Sequence, residues 1–598
     1  MKSHIFALFT DFILLYDKTM EFRRIEMETL PLRSIPKRNR IWPYVLIVLF
    51  IIVTGILLYI YYPYASTKKN MYFTGKYPIL IKGAIQGNAI HNENSLYIPL
   101  KLVEKQIDDS IYEESKSLII TTKLKVIRIP FNENVLYVNE KPKQTNNPIV
   151  KIVSGQKYIS LEILQALYPI EYQLTKHTGI VWIRMNGEQY HNGKIVSHDV
   201  RKAFLRLRTK PNLQSSYNVE VKKGEAVHIE RELKNYYYIR TLEGIGGYIK
   251  KAYVMKQKLE NVQIAFPKEA VTLPAIEKPI QMSWEAVYKK TPDPSQFPTM
   301  AGVNVVSPTW FHLKDDNGNI TNLLSSKYVK WAKQQHMQVW ALFSNSSNPD
   351  LTKAALSTFE KRNRIIQTLL KVAKKEHLEG INIDIENVRS KDGPLVTQFV
   401  REISAYFHAN HKYVSMDITF IAKGNWSEFY ERKKLGKIVD YLIIMAYDEH
   451  WATSAEAGSV ASLPWVENGL KPILKLVPND KIILGVPFYT RLWKEEWKDG
   501  QKQTSSIALT MDQANKWIKK KKATIQMDTE SGQHYTEYID SKTNTTYKMW
   551  MEDTYSLAKR ADIAGQYKLS GIASWARAFG NEDAWVALRS TLSAYNQK

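Results

Sequence analysis

The chain has 598 residues, no cysteine, and 83 Lys+Arg against 59 Asp+Glu, for a formal net charge of +24. The missing cysteines exclude disulfides, thiolate metal sites and cysteine nucleophiles, and the basic balance implies retention on nucleic acid, acidic lipid or a phosphate-rich wall polymer. At roughly 150 residues per domain the length implies about three to four domains, fewer if one is a large barrel.

Residues 1–40 read as a cytoplasmic tail, with an apolar run from Ile5 to Tyr16 broken by Asp11 and with Met20 and Met27 as alternative starts. Residues 41–62 are apolar and uncharged, about the ~20 residues that a bilayer core requires of a transmembrane helix. Arg33, Lys37, Arg38 and Arg40 stand before this segment, so the positive-inside bias predicts a cytoplasmic N-terminus and an extracytoplasmic remainder. Trp42, Tyr44, Tyr59, Tyr61 and Tyr62 suit the interfacial belts. A cleaved signal peptide is the rival, but the apolar run exceeds the usual ~7–15 residues and no small-x-small site follows it, which favours an uncleaved anchor. Nucleic acid is not an expected partner outside a membrane.

Over 72–190, short β-like runs alternate with polar turns and one helical patch, Leu161 to Leu167, which predicts a small α+β domain. Over 198–256, about five short strands at regular spacing predict a small β-barrel. Residues 257–281, rich in Lys, Glu and Pro, read as a linker.

From 282 to 598, strand-like and helix-like segments alternate. Strands are expected at Met300–Ser307, Met337–Phe343, Gly380–Glu386, Val414–Phe420, Tyr441–Ala446, Ile482–Val486 and Gly571–Trp575, with helices such as Ser357–Glu376 and Val396–Asn410 between them. An eighth strand is expected between Phe343 and Thr358, giving an α/β fold of the (β/α)8 TIM-barrel class. A doubly wound sheet is disfavoured because no Gly-rich phosphate loop follows any strand. Residues 504–547 carry alternating runs that suggest a small α+β insertion.

The stretch Glu379 to Glu386 is the centre of this domain. On a strand, Asn382, Asp384 and Glu386 share one face while Ile381, Ile383 and Ile385 take the other. Other strands end in Tyr447-Asp448, in Tyr489 and in Trp575. Carboxyls among aromatic planes suit a sugar: an acid for the glycosidic oxygen and flat faces for its C–H groups. No cofactor and no metal is expected.

These residues resemble glycoside hydrolase family 18. The family's Asp-Gly-x-Asp-x-Asp-x-Glu signature falls on Glu379, Gly380, Asn382, Asp384 and Glu386, its Met-x-Tyr-Asp motif on Met445, Tyr447 and Asp448, and its last-strand tryptophan on Trp575. The resemblance implies substrate-assisted retaining hydrolysis. Glu386 is then the acid/base, its pKa raised in part by the Asp384 charge; Asp384 orients the substrate's 2-acetamido group, Tyr447 donates to its carbonyl and Trp575 floors the sugar. Asn382 and Glu379 replace the family's aspartates, and the first change is expected to ease Asp384 ionisation. Met445, Asp448 and Tyr489 are expected to line the substrate, as are Trp550 and Glu552 of a Trp-x-Glu-Asp that the wall-acting branch places near it. The Gly-Ile-Asn-Ile-Asp-Ile-Glu-Asn form resembles the branch associated with spores and cell walls, so peptidoglycan is the expected substrate, with chitin and a non-catalytic sugar-binding scaffold as alternatives.

Two further resemblances concern the accessory domains. LYIPLKLVEKQ and KYISLEILQAL are similar to the small N-terminal domain of copper amine oxidases. Leu205-Arg206, Arg208, Pro211, Lys223-Gly224, Tyr236 to Tyr238 and Gly246-Gly247-Tyr248-Ile249 resemble a bacterial Src-homology-3-type domain. The latter implies wall-peptide contacts at Tyr236, Tyr237 and Tyr248, with core packing the equal alternative. His450 is expected to be structural, and Trp310, Trp340, Trp451 and Trp493 are divided between groove and core. Lys519 to Lys522 read as a solvated face and secondarily as a contact to anionic wall polymer.

Overall fold

The computed structural model describes residues 41–61, 64–92, 95–196, 200–498 and 501–596; the expected tail 1–40 and Tyr62 lie outside them. Trp42–Tyr61 forms one helix, α1, about 30 Å long at 1.5 Å per residue. It is long and apolar enough to cross a membrane, and none of it is buried within the protein.

The described residues divide into two compact units. The first joins the chain up to Tyr72 with His191–Lys258. Its strands Arg206–Arg208, Tyr217–Glu220, Ala226–Glu232, Tyr236–Thr241 and Gly246–Lys250 pair antiparallel around Leu207, Val227, Ile239 and Ile249. The segment 64–72 lies along it: Tyr217 donates its N–H to Lys68 O (3.0 Å) and Asn70 donates to Tyr217 O (2.7 Å). Tyr237 belongs to the core, whereas Tyr236 and Tyr248 are half-buried.

The second unit joins Phe73–Tyr190 with Leu259–Lys598. Its α+β part packs short sheets and the helices Leu100–Gln106 and Leu161–Leu167 around Ile79, Ile98, Leu118, Ile127 and Val181.

Its remainder is a closed barrel of eight parallel strands: β1 Ile280–Glu285, β2 Val305–Pro308, β3 Gln338–Ser344, β4 Gly380–Asp384, β5 Tyr413–Ile418, β6 Tyr441–Met445, β7 Ile482–Pro487 and β8 Gly571–Trp575. Closure runs through β1 and β8, with Ile280 opposite Gly571. The expected eighth strand between Phe343 and Thr358 is not one. That stretch is a loop followed by helix α2, Pro349–Leu356, and then α3, Phe359–Lys375. The missing strand is β1, which begins inside the stretch expected to be linker. Its polar residues Gln281, Ser283 and Glu285 are all buried. Gln281 donates to Ala301 O (3.1 Å), and Glu285 holds Arg577 with a 3.0 Å bond, tying the ends of β1 and β8.

Alternate residues of each strand fill the barrel. Trp340, Tyr413 and Tyr441 stack across its lower interior with ring centroids 4.9 to 6.1 Å apart. Gly380 is required there, because a Cβ would stand 2.8 Å from Trp340 Cδ1 and 2.9 Å from Tyr413 Cβ. Met282, Trp284, Leu342, Ile443 and Ala573 pack above them. Between β7 and β8 the chain inserts the antiparallel strands Thr490–Lys498, Gln501–Leu509, Ile525–Asp528, Gln533–Asp540 and Thr545–Trp550 with the helix Met511–Lys521. The insertion therefore starts earlier than the expected residue 504.

Candidate active site

At the C-terminal rim the barrel interior turns from apolar to acidic. Asn382 on β4 sits opposite Ser415 on β5. Ser415 Oγ donates to Asn382 Oδ1 (2.7 Å), and Asn382 Nδ2 donates to Asp417 Oδ2 (2.8 Å). The amide thus spends its acceptor on a hydroxyl and a donor on a carboxyl. Asp417 was not among the expected site residues, although Ser415 and Asp417 repeat on β5 the every-second-residue polarity of β4. Trp284 turns its indole N–H toward Asp417 without reaching hydrogen-bond geometry.

Asp384 stands two residues above Asn382 on the same face. Burial raises its carboxyl well above the usual range, and the charges of Glu386 and Asp417 raise it further. Burial also raises Asp417, against the donated Asn382 bond. Among the described residues, the enclosed Oδ1 atoms of Asp384 and Asp417 have no hydrogen-bond partner. Asn382 leaves no second carboxyl beneath Asp384 on β4, but Asp417 on the neighbouring strand still stands close enough to raise it.

Glu386 lies just beyond β4, held by the loop after β3. Asn345, 1 % exposed, accepts the Glu386 N–H on Oδ1 (3.0 Å) and donates Nδ2 to its carbonyl oxygen (2.7 Å). Ser347 Oγ donates to Glu386 Oε2 (3.3 Å). Burial raises the Glu386 carboxyl, the Ser347 hydroxyl lowers it and the Asp448 charge raises it again. The expected contribution of Asp384 is not among these causes; the Glu386 charge instead raises Asp384. Asn345 and Ser347 were not expected from sequence, since a loop amide and hydroxyl carry no periodic signal.

Tyr447 stands among these acids, its phenol kept protonated by burial and by the Asp417 and Asp384 charges. Its ring is 6.4 Å from that of Trp284, which lies 6.0 Å from Trp575. Met445 is half-buried at the end of β6. Asp448 accepts a hydrogen bond from Tyr489 and faces Arg491 at 3.6 Å. Tyr430, also unforeseen, is buried beside the carboxyls and donates to Ile385 O (2.9 Å).

The structure does not bring every expected residue to this rim. Glu552 has a side chain 0 % exposed, paired with Arg560 (2.9 Å) and bonded by Ser556 Oγ (2.9 Å) and Gln533 Nε2 (3.0 Å). It is a saturated internal carboxylate and not a sugar contact. Trp550 is half-buried in the insertion sheet, its N–H on Asp528 (2.9 Å) and its ring 4.8 Å from Tyr535. Glu379 sits at the opposite end of β4, accepting from Val339 N–H (2.9 Å). His450 bonds Ser459 O (2.9 Å). Trp310, Trp340 and Trp493 are wholly buried, while Trp451 is 55 % exposed. Among the described residues, no group of three or more His, Asp or Glu is placed to hold a metal ion.

The Glycosyl hydrolases family 18 model matches residues 282–580, half of the chain. The chain is 30% identical over 289 residues to the uncharacterized glycosylase YvbX of Bacillus subtilis (strain 168), covering 46% of this chain and 81% of that protein. It is 23% identical over 278 residues to the cortical fragment-lytic enzyme of the same organism, covering 45% and 62%. It is also 25% identical over 231 residues to di-N-acetylchitobiase of Rattus norvegicus, covering 34% and 62%. The last two matches span less than two thirds of those proteins' own length. The closed barrel, the acids gathered at its C-terminal rim and the family match together make this chain a glycosidase that belongs to glycosyl hydrolase family 18.

Proposed function

We propose that the enzyme hydrolyses β-linked N-acetylglucosamine in peptidoglycan, with the substrate's own acetamido oxygen as nucleophile. The observation that carries this reading is the enclosed, unpartnered Asp384 Oδ1 beside Tyr447 and two residues from Glu386. Such an atom needs a ligand donor, and an acetamido N–H is one.

Glu386, protonated because burial raises it, gives its proton to the glycosidic oxygen as the bond to C1 breaks. The acetamido carbonyl oxygen bonds to C1 from the opposite face, forming a cationic ring. Asp384 acts as the carboxylate throughout: it accepts the acetamido N–H, and the positive charge developing on the acetamido group stabilises that ionised form. Tyr447 donates to the acetamido oxygen and holds it on line. Water then adds to C1 and loses a proton to Glu386, the ring opens, and configuration is retained. This is the substrate-assisted exception to the two-carboxylate scheme. Trp575 forms the sugar platform, Met445 and Tyr489 line the site, and Asp448 tunes Glu386.

Peptidoglycan is favoured because a similar protein carries the name cortical fragment-lytic enzyme and because the +24 charge suits an anionic wall. α1 anchors the enzyme with its N-terminus in the cytoplasm and its barrel outside, and the two accessory domains, 72–190 and 198–256, hold it on the wall. Digestion of purified peptidoglycan and chitin by the parent and by Glu386→Gln tests the reading. Muropeptides with new N-acetylglucosamine reducing ends are expected from the parent, with turnover lowered by about 10²–10⁴ in the variant. Cleavage of chitin alone would move the substrate, and binding without cleavage of either polymer would make the barrel a lectin.

A further inference from the structure

We infer that Glu114, in the α+β part of the second unit, is a positioning residue for Glu386. The inference rests on the reading of Glu386 as the acid, and it deepens that reading by giving the accessory domain a part in the barrel's chemistry.

Glu114 occupies the turn between the strands Tyr112–Glu113 and Ser117–Thr121. Its side chain, 14 % exposed, accepts from Arg362 Nη2 at 2.7 Å and from the N–H of Phe359, the first residue of α3, at 3.2 Å. Arg362 is wholly buried and donates Nη1 to the carbonyl oxygen of Leu356, the last residue of α2, at 3.0 Å. Glu114 and Arg362 therefore pin the junction between α2 and α3 from both sides.

The other end of α2 reaches the acid. Asn348 caps it, accepting the N–H groups of Asp350 (3.1 Å) and Leu351 (3.0 Å). Within α2, Thr352 Oγ1 accepts from Asn345 Nδ2 at 2.8 Å. Asn345 is the residue that grips both the N–H and the carbonyl of Glu386. A helix of eight residues, about 12 Å long at 1.5 Å per residue, thus joins a side chain of the accessory domain to the backbone of the acid through hydrogen bonds alone.

Charge balance does not require this arrangement. Glu402 on the helix Gly393–His408 already meets Arg362 with two bonds, at 2.9 and 2.8 Å. What Glu114 adds is the bond to the first N–H of α3, which fixes where α2 ends. Apolar packing supports the same seam, since Ile119 and Val126 of the accessory part belong to the barrel's outer core.

The test uses the full chain and compares Glu114→Ala, Glu114→Gln and Leu118→Ala, the last removing bulk from the accessory core at a residue 0 % exposed. Two quantities are read: hydrogen exchange at the Glu386 amide, and kcat and KM on a soluble chito-oligosaccharide. Glu114→Ala is expected to speed Glu386 exchange at least about tenfold and to lower kcat on the order of tenfold with KM nearly unchanged, less than the roughly hundredfold cost of a 1 Å misplacement. Glu114→Gln, which keeps one acceptor oxygen, should fall between it and the parent. Leu118→Ala should lower the melting temperature and leave both readouts at parent values. A Glu114→Ala protein that melts earlier yet keeps parent exchange and kcat would overturn the inference, leaving Glu114 a docking contact only. The exchange readout needs no substrate, so an inactive parent would sink the reading of Glu386, while the exchange comparison still decides this one.

Discussion

Glu386, the proposed acid, sits in a setting that offers two opposed controls on its carboxyl. Burial and the Asp448 charge raise its carboxyl, while the Ser347 hydroxyl lowers it. An acid must hold its proton to act, so kcat/KM falls as pH rises through the Glu386 pKa. Removing a negative neighbour lowers that pKa, and removing a donor to the carboxylate raises it. Asp448→Asn should therefore move the alkaline limb of the kcat/KM profile to lower pH, and Ser347→Ala should move it to higher pH. Shifts of the same sign in both variants would remove Glu386 from the role of acid.

At the level of elements, loops and insertion share the work of holding side chains that strands alone do not fix. The loop after β3 places Ser346 and Ser347 at φ +56° and +49°, left-handed geometry that costs a non-glycine residue on the order of 1 kcal/mol or more. That geometry delivers Ser347 Oγ to Glu386, with Asn345 anchoring the loop's start. Where the chain returns from the insertion to the barrel, Glu552 meets Arg560 on the helix Thr554–Gln566, and Glu552 N–H bonds Thr490 Oγ1 (2.8 Å), joining the entry of the insertion to its exit. Both charged side chains are 0 % exposed, and depriving a buried ion of its partner costs about 3–5 kcal/mol. Glu552→Gln should lower the free energy of unfolding in denaturant by about that amount while KM stays within about twofold of the parent. A raised KM at parent stability would return Glu552 to the substrate site.

For the whole molecule, one apolar helix and a net charge of +24 bear on where the enzyme is proposed to work. α1 has no charged residue over its 20 positions, enough to cross a ~30 Å hydrocarbon core, and the proposed topology sends every later residue outward. Membranes carrying the full chain should keep it through alkaline carbonate extraction, whereas a chain beginning at Tyr64 should appear in the soluble fraction. Release of the full chain by carbonate would refute the anchor.

Sequence by itself determined what depends on local periodicity and on charge. Alternation placed Asn382, Asp384 and Glu386 on one face; repeated strand and helix patterns specified the (β/α)8 class; an uncharged run marked α1. Tertiary structure decided whatever depends on which strand becomes whose neighbour. Barrel closure made a strand of Ile280–Glu285, because burial against Ala301 and Arg577 satisfies side chains that look solvated in the linear chain. The pairing of β4 with β5 brought Asp417 to Asn382 and so placed a further carboxyl near Asp384. Eight positions separate Glu552, just before the helix Thr554–Gln566, from Arg560 within it, a spacing visible in sequence, but only the fold shows that both are buried. Low local dielectric is the common reason: the same carboxyl has its pKa raised at the rim or becomes an internal tie according to how completely the surrounding elements exclude water and which partner they supply.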